Sequence, residues 1–249
     1  MRGPHVKVPH EVARLLRAGH PWVFRSAVQR PLAVAEGTVV PVLDADGYLV
    51  GHGLHEPEGA IAVRMLSLAT DADFAWNEAE ILARLRAALR RRDLGPTAPQ
   101  PPAAPTEGGQ SLAAGAGESA APGAAEPAAP GAIPPSLAIP PGACRLLHAE
   151  ADGFPGIAVD RLGDYLLVYK YARVGETYLD TLVQLLEQEL RPAGIYMQDR
   201  IRGVTPDDRR PPAFHLAGKP APPDVEVDED GLKFLVDVTA PVSPGLFLD

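Results

Sequence analysis

The sequence contains a single cysteine, Cys144, among its 249 residues. No disulfide can form within the chain, which excludes the small disulfide-stapled domains typical of secreted proteins. No apolar run approaches the roughly 18 residues that a membrane-spanning helix needs, and the N-terminus lacks the apolar segment of a signal peptide. These absences predict a soluble cytoplasmic protein without a membrane partner.

Positive charge is missing from the middle of the chain. Residues 95–142 contain no Lys or Arg and three Glu, and 34 of these 48 positions are Ala, Pro or Gly. Such a segment has too little apolar bulk to offset the entropy lost on ordering it, which predicts a disordered insertion. It separates residues 1–94, of net charge +1, from residues 143–249, of net charge −7. The acidic total of −9 excludes a histone-like coat of positive charge but allows a local basic face.

Several catalytic and metal-binding motifs are also absent. No G-x-G-x-x-G follows a strand, and no Walker A, H-E-x-x-H or C-x-x-C motif occurs. His52 and His55 lie on a segment that runs from strand to loop, where they would not converge, so we expect no metal. The lone Cys144 is expected to be an inert thiol. Asp152 and Asp160 flank a turn, where Asp serves turn chemistry more often than acid–base catalysis.

The pattern of residues 1–72 predicts a small β-barrel-like module with one short helix. The helix is expected over residues 11–18, ended by Gly19. The residues expected on its buried face are Val12, Leu15 and Leu16. A connecting helix, capped by Asp73, is predicted within residues 73–94. The arginines in its last turns are expected to form a solvated face that compensates the helix dipole.

Residues 143–240 predict a compact α+β domain in the order strand, strand, helix, strand, strand. A meander of strands surrounds the turn-rich stretch 150–161, and a helix is expected from residue 176 to residue 190. A further strand, 194–199, precedes an expected loop over residues 202–223. A last hairpin turns at residues 228–231.

The first 30 residues carry the candidate nucleic-acid contacts, because they hold many bases and only one acid. Trp22 could stack on a nucleobase while nearby arginines meet phosphates, as in RNA-binding modules. The alternative is that Trp22 and Phe24 fill the core of the small module. The candidate RNA-contacting residues are Arg14, Arg17, His20, Trp22 and Arg25.

Three stretches together resemble a known family, the large-subunit ribosomal RNA cytosine-C5 methyltransferases that depend on S-adenosylmethionine and carry an N-terminal PUA domain. They are GHPWVFRS at residues 19–26, EADGFPGIAVDR at residues 150–161, and GLFLD at residues 245–249. The second is the most specific, and the order of the three matches the family. The sequence departs from the family at Ala151, at 243–244, and in its Ala/Pro-rich insertion.

The resemblance implies a PUA-like RNA-binding domain over residues 1–72 and an α+β domain over residues 143–240. Residues 241–249 would begin a Rossmann-like methyltransferase domain, and the fold class expected here lacks the rest of that domain. In the family a cysteine thiolate adds to the pyrimidine and a second cysteine helps release the product. Neither cysteine has a counterpart in this sequence, and Cys144 matches neither.

The function that the resemblance implies is RNA recognition for a ribosomal RNA methyltransferase, inactive by itself, with no metal. S-adenosylmethionine is the cofactor of the full-length family, and this chain is expected to bind it poorly. The residues expected at the edge of the cofactor site are Gly245, Phe247 and Asp249. The alternatives are a stand-alone RNA-binding module that acts with a separate catalytic chain, or a gene remnant. The oligomeric state stays open, with a homodimer as one alternative.

Overall fold

A computed structural model of the chain describes residues 3–68, 74–92, 142–201, 212–229, 231–240, 245–246 and 248. The predicted insertion at 95–142 lies outside the described residues except for Gly142. Among the described helices, none is long and apolar enough to cross a membrane. The boundaries proposed between domains stay a prediction.

The first module consists of one short helix and a five-stranded sheet. Its elements are β1 (Val6–Lys7), α1 (His10–Arg17), β2 (Trp22–Phe24), β3 (Val39–Leu43), β4 (Leu49–His55) and β5 (Ile61–Ser67). The order in the sheet is β1-β3-β4-β5-β2, and only the β1–β3 pair is parallel. The predicted hairpin joins β3 to β4, where Gly47 adopts a positive φ that favours glycine.

Helix α1 forms where the sequence predicted it, but it buries a different set of side chains. Ala13 and Leu16 are buried, whereas Leu15 is 46% exposed. Val12 is half-buried and packs against the edge of the core. Because the side chain of Ala13 is small, α1 can approach the sheet closely on that side. The buried face of the helix is therefore centred on Ala13 and Leu16 and excludes Leu15. The prediction that Leu15 lies on the buried face is therefore wrong.

The connecting helix is α2 (Glu78–Arg91), and it begins later than predicted. Asn77 is its N-cap, and the side-chain oxygen of Asn77 accepts a hydrogen bond from the Glu80 backbone N–H at 3.0 Å. The predicted cap, Asp73, lies outside the described residues. The buried side chains of α2 are Ile81, Leu85, Ala88 and Leu89.

The second module is a mixed sheet crossed by one helix. Its elements are β6 (Ala143–His148), β7 (Ile157–Leu162), β8 (Tyr165–Lys170), α3 (Glu176–Leu190), β9 (Gly194–Asp199) and β10 (Phe214–Gly218). The predicted meander is β6-β7-β8, and α3 connects β8 to its parallel neighbour β9. Helix α3 buries the predicted face, and its buried residues are Tyr178, Leu179, Leu182, Leu185, Leu186 and Leu190.

The end of the described chain differs from the predicted strand order. Part of the expected loop at 202–223 is strand β10, which pairs antiparallel with β9. The predicted hairpin exists as β11 (Val225–Glu229) and β12 (Leu232–Val236), but it forms a separate two-stranded sheet. The hairpin packs across one face of the second sheet, where its valines meet Leu167 and Tyr169. The sequence pattern predicted these two strands but not the sheet to which they belong, because pairing between distant strands leaves no local signal.

The two modules share an apolar core. Leu54 of β4 and Leu66 of β5 belong to the same buried cluster as α2, α3 and the second sheet. A separate cluster fills the inside of the first sheet, under α1. Because side chains from both sheets fill one core, the packing fixes the two modules against each other.

Ion pairs between α2 and the second module add to this packing. Asp152, which follows β6 in a 3-10 turn over Ala149–Asp152, is buried. Its carboxylate accepts hydrogen bonds from Arg91 at 2.6 Å, from Arg92 at 2.7 Å and from the His148 backbone N–H at 2.6 Å. Burial of Asp152 opposes ionisation, but these hydrogen bonds hold the pKa of its carboxyl below the usual value. The expectation of a solvated face is wrong for Arg92, which is 23% exposed, whereas Arg91 is 54% exposed. The bond from the His148 backbone N–H is a local turn contact of the kind expected of Asp152, and the two ion pairs add a role that the sequence did not predict.

Replacing Asp152 by Asn should lower the free energy of unfolding by about 2 kcal/mol at pH 7, because two arginines lose their counter-charge. The pKa of Asp152 is lower in the folded than in the unfolded chain. Its contribution is therefore present above about pH 4 and is lost as the pH falls through the folded-state pKa. Urea unfolding from pH 7 to pH 3 measures both effects. The matched control is D180N on the exposed side of α3, and equal losses in both variants would contradict the assignment.

Candidate nucleic-acid interface

Strand β2 and the residue His20 before it place three aromatic rings near the surface of the first module. Gly19 adopts a positive φ after α1, and the chain turns through His20 into β2. The rings of His20, Trp22 and Phe24 lie 5.8–6.3 Å apart between centroids. Val23 points into the core, whereas Phe24 is 43% exposed. The alternative that Trp22 and Phe24 fill the core of this module is therefore wrong.

Trp22 contacts the second module directly. Its ring Nε1–H donates a hydrogen bond to Glu150 Oε1 at 3.0 Å. Arg64 of β5 donates to the same carboxylate oxygen, and its guanidinium carbon lies 5.9 Å from the centroid of the Trp22 ring. The Nε of Arg64 donates to Glu56 at 3.0 Å. We name these four side chains, Trp22, Glu56, Arg64 and Glu150, the tether cluster.

The tether cluster is largely shielded from water. The side chains of Arg64, Glu56 and Glu150 are only 10–13% exposed. Burial raises the pKa of the Glu56 carboxyl, and the nearby Arg64 offsets part of that rise. One guanidinium thus serves two carboxylates, one from each module. Shielded charge-assisted hydrogen bonds of this kind have defined geometry, so the cluster orients the two modules.

The guanidinium of Arg25 is occupied by the backbone of its own module. Its nitrogens donate to four carbonyl oxygens at 2.6–3.0 Å, those of Glu56, Glu58, Gly59 and Ile61. These carbonyls belong to the connection between β4 and β5. Arg25 therefore organises this connection, and phosphate contact by Arg25 stays a prediction.

Arg14 and Arg17 are exposed on α1, three residues apart, so they lie on neighbouring parts of one helix face. Arg17 donates to the buried carboxylate of Asp44 at 2.9 Å. This hydrogen bond holds the pKa of Asp44 below its usual value. Arg14 forms no ion pair with any residue in the described ranges. Of the two, Arg14 is the side chain whose charge is open to a phosphate.

The predicted cofactor-edge residues are only partly described. Gly245 is exposed and has a positive φ. Phe247 and Asp249 lie outside the described residues. Leu248 is buried among the residues that join β11 and β12 to the second sheet. Leu246 packs against the same cluster, and a cofactor-edge role for Gly245, Phe247 and Asp249 stays a prediction.

A second polar group lies on the mixed sheet. The buried Asp160 of β7 accepts two hydrogen bonds from Arg145, at 2.6 and 3.2 Å. The guanidiniums of Arg145 and Arg200 lie 6.0 and 5.2 Å from the centroid of the Tyr169 ring. Burial raises the pKa of Asp160, although Arg145 acts against it, and burial also raises the pKa of Tyr169. Asp160 is thus a buried ion-pair residue in mid-strand, and the expectation of turn chemistry is wrong for it.

The remaining nucleophile and metal candidates offer no catalytic arrangement. Cys144 is half-buried, and burial raises the pKa of its thiol, which disfavours the reactive thiolate. His52 and His55 both lie on β4, and the ring of His52 stacks on Phe74 at 5.4 Å. Within the part of the chain that the structure describes, no three His, Cys, Asp or Glu side chains come together as metal ligands.

Comparison with known proteins agrees with this architecture. A family model described as a PUA-like domain matches residues 6–68, the region from β1 to β5. The ribosomal RNA large subunit methyltransferase I of Shewanella denitrificans is 28% identical over 246 residues, covering 95% of this chain and 49% of that protein. The protein of the same name from Alteromonas mediterranea is 25% identical over 237 residues, covering 94% and 48%. The chain spans about half the length of these curated relatives.

Two solved structures have a similar fold. A protein from Streptococcus mutans assigned as a SAM-dependent methyltransferase superposes with a TM-score of 0.67 at 16% identity, covering 99% of this chain and 52% of that one. An assigned methyltransferase in complex with SAH gives a TM-score of 0.68 at 16% identity, covering 99% and 51%. At this identity the likeness concerns the fold alone.

The class of protein that this chain is similar to is the methyltransferases, and its first module matches a PUA-like domain. Within that class, the chain is similar over 95% of its length to the ribosomal RNA large subunit methyltransferases I. The resemblance carried by the three sequence stretches is thereby confirmed.

The predicted fold class is wrong where it treats the methyltransferase domain as absent from this chain. The curated relatives match 94–95% of the chain and the solved methyltransferases match 99% of it. The matched region includes the mixed second sheet and the later strands β10 to β12. These strands therefore belong to the methyltransferase likeness.

The tether cluster gives a direct test of how the modules are joined. Glu150→Ala removes the acceptor of Trp22 and one of the two carboxylates of Arg64. The free energy of unfolding should fall by about 2 kcal/mol, since both buried donors lose a partner. In a Trp76→Phe background Trp22 is the single tryptophan, and its emission should shift to longer wavelength as water reaches the ring.

The control for this prediction is Glu187→Ala, which removes an exposed carboxylate of α3. It should leave both the emission of Trp22 and the unfolding midpoint unchanged. An unchanged Trp22 emission in Glu150→Ala would show that the hydrogen bond does not hold the ring between the modules.

Proposed function

We propose that this chain recognises RNA for a SAM-dependent methyltransferase that acts on cytosine C5 of large-subunit ribosomal RNA. The observation that carries the proposal is a PUA-like module, residues 6–68, held in a fixed orientation against the second module by the tether cluster. The names of the curated relatives supply the substrate class. A ribosomal RNA substrate further supports a cytoplasmic location.

The fixed orientation gives the RNA-binding surface a mechanical role. A module that binds RNA beside a reaction centre accelerates chemistry only when it holds the substrate in a defined position. The shared core around Leu54 and Leu66 and the ion pairs of Glu150 resist rotation between the modules. We propose that this rigidity converts RNA affinity into placement of the target nucleotide.

S-adenosylmethionine would be the methyl donor of the complete reaction. Of the three residues expected at the edge of its site, only Gly245 is described, and the neighbouring Leu248 is buried in the cluster that joins β11 and β12 to the second sheet. We therefore assign no step involving the cofactor to these residues.

The pyrimidine-attacking thiolate of the family likewise has no fitting residue in this sequence. Cys144 is its only cysteine, and burial raises the pKa of that thiol. A protonated, half-buried thiol is a poor nucleophile. We propose that these 249 residues bind ribosomal RNA but do not methylate it by themselves.

RNA binding should depend on salt, and Arg14 should supply one phosphate contact. The measured quantity is the slope of log affinity plotted against log salt concentration. In Arg14→Ala the magnitude of this slope should fall by about 0.7, the value for one phosphate of a single strand. Fluorescence anisotropy with a labelled fragment of large-subunit ribosomal RNA measures the slope.

Arg191→Ala is the control for Arg14→Ala, because Arg191 is an exposed arginine of the second module. Its slope should equal that of the unaltered chain. Equal slopes for all three proteins would remove Arg14 from the interface, and failure of the unaltered chain to bind any ribosomal RNA fragment would contradict the proposed function.

A further inference from the structure

An open groove lies beside the edge strand β1 of the first sheet. It has a volume of about 540 Å³ and runs between strand β1 and the chain from Gln29 to Val34. Strand β1 is at the edge of its sheet, so one side of it faces this groove. The backbone N–H of Gln29 donates to the carbonyl of Lys7 at 3.3 Å, which ties the two walls together.

The described residues that line the groove include basic side chains and no carboxylate. Its polar side chains come from His5, Lys7, Gln29 and Arg30. His5, Gln29 and Arg30 are exposed and Lys7 is half-buried. Neither Lys7 nor Arg30 forms an ion pair with a residue that the structure describes. No described carboxylate therefore compensates either cation by direct contact at the groove.

Acidic residues of the same module compensate other basic side chains instead. Asp44 pairs with Arg17 at 2.9 Å, and Asp46 lies 3.5 Å from His10. Glu56 pairs with Arg64 inside the tether cluster. The surface of α1 is thus partly neutralised, whereas the groove is not. In a chain of net charge −9 this local positive region would attract a polyanion.

We propose that this groove binds the sugar–phosphate backbone of a single RNA strand, with Lys7 and Arg30 as the phosphate contacts. The guanidinium of Arg30 can donate two parallel hydrogen bonds to one phosphate, and Lys7 supplies a point charge for a neighbouring phosphate. Gln29 and His5 offer hydrogen-bonding groups to the ribose 2′-hydroxyl.

The floor of the groove suits the rest of a nucleotide. Leu32 and Val34 line it, and both are half-buried against the core of the first module. An apolar floor between two basic positions offers contact to a ribose or to the face of a base, while the phosphates stay at the rim. This inference rests on the proposed RNA-binding function and adds the strand path and its two cationic anchors.

The test compares two charge reversals that change the net charge equally. K7E/R30E reverses the groove, and R90E/K219E reverses two exposed bases that lie outside it. Anisotropy with a labelled single strand from large-subunit ribosomal RNA is recorded over a range of salt concentrations. K7E/R30E should lose about tenfold in affinity, and its salt slope should fall by about 1.4, the equivalent of two phosphate contacts. R90E/K219E should stay within about twofold of the unaltered chain.

A conservative pair separates lost charge from lost fold. K7R/R30K keeps both cations and should retain the affinity within about threefold, since charge dominates phosphate contacts. Wild-type affinity in K7E/R30E, or an equal loss in both reversals, would contradict RNA binding at the groove but not RNA binding by the chain. An equal loss in K7R/R30K would also overturn it. If the unaltered chain binds no RNA, the proposed function fails, and the groove fails with it.

Discussion

The arrangement of the two modules depends on the carboxylate of Glu150. It accepts from the Trp22 ring at 3.0 Å and from Arg64, so it joins β2 and β5 of the first sheet to the turn that follows β6. Trp22 and Glu150 belong to two of the three stretches that carry the family resemblance, and they are 128 positions apart. Each of these two stretches therefore supplies one partner of the same hydrogen bond.

The apolar core extends this constraint. The side chains of Leu54 and Leu66 project from the first sheet and pack with α2, α3 and the second sheet. Asp152, two residues after Glu150, anchors the end of α2 through Arg91 and Arg92. A short segment of chain thus fixes both the first module and the connecting helix. For an RNA-binding module this rigidity matters because a loosely joined module would add affinity without placing the substrate.

Local sequence patterns predicted those features that depend on local physics. Helix α3 follows its apolar stripe residue by residue, and the hairpins follow their Asp-Gly and glycine turns. Leu15 was misplaced because the close approach of Ala13 to the sheet decided the orientation of α1. Strand β10 was missed because a proline-rich neighbourhood resembles a loop when the pairing partner β9 is not known.

The site residues were also hard to predict, because their partners are distant in the sequence. Arg25 and Trp22 looked like free RNA contacts, but their partners lie more than 30 positions away in the chain, at Gly59, Glu56 and Glu150. A sequence read locally cannot show that a cation or an indole is already occupied. Lys7 and Arg30 were equally hard to recognise, since what marks them is that neither forms an ion pair with a carboxylate in the described ranges.

RNA binding by the first module is tested most directly by locating bound RNA on the folded chain. Ultraviolet crosslinking to a labelled strand of large-subunit ribosomal RNA, followed by mass spectrometry of the crosslinked peptides, maps the contact without any substitution. We expect crosslinks concentrated in peptides from the first 34 residues. Crosslinks confined to peptides of the second module, or none above an irradiated protein control, would contradict it.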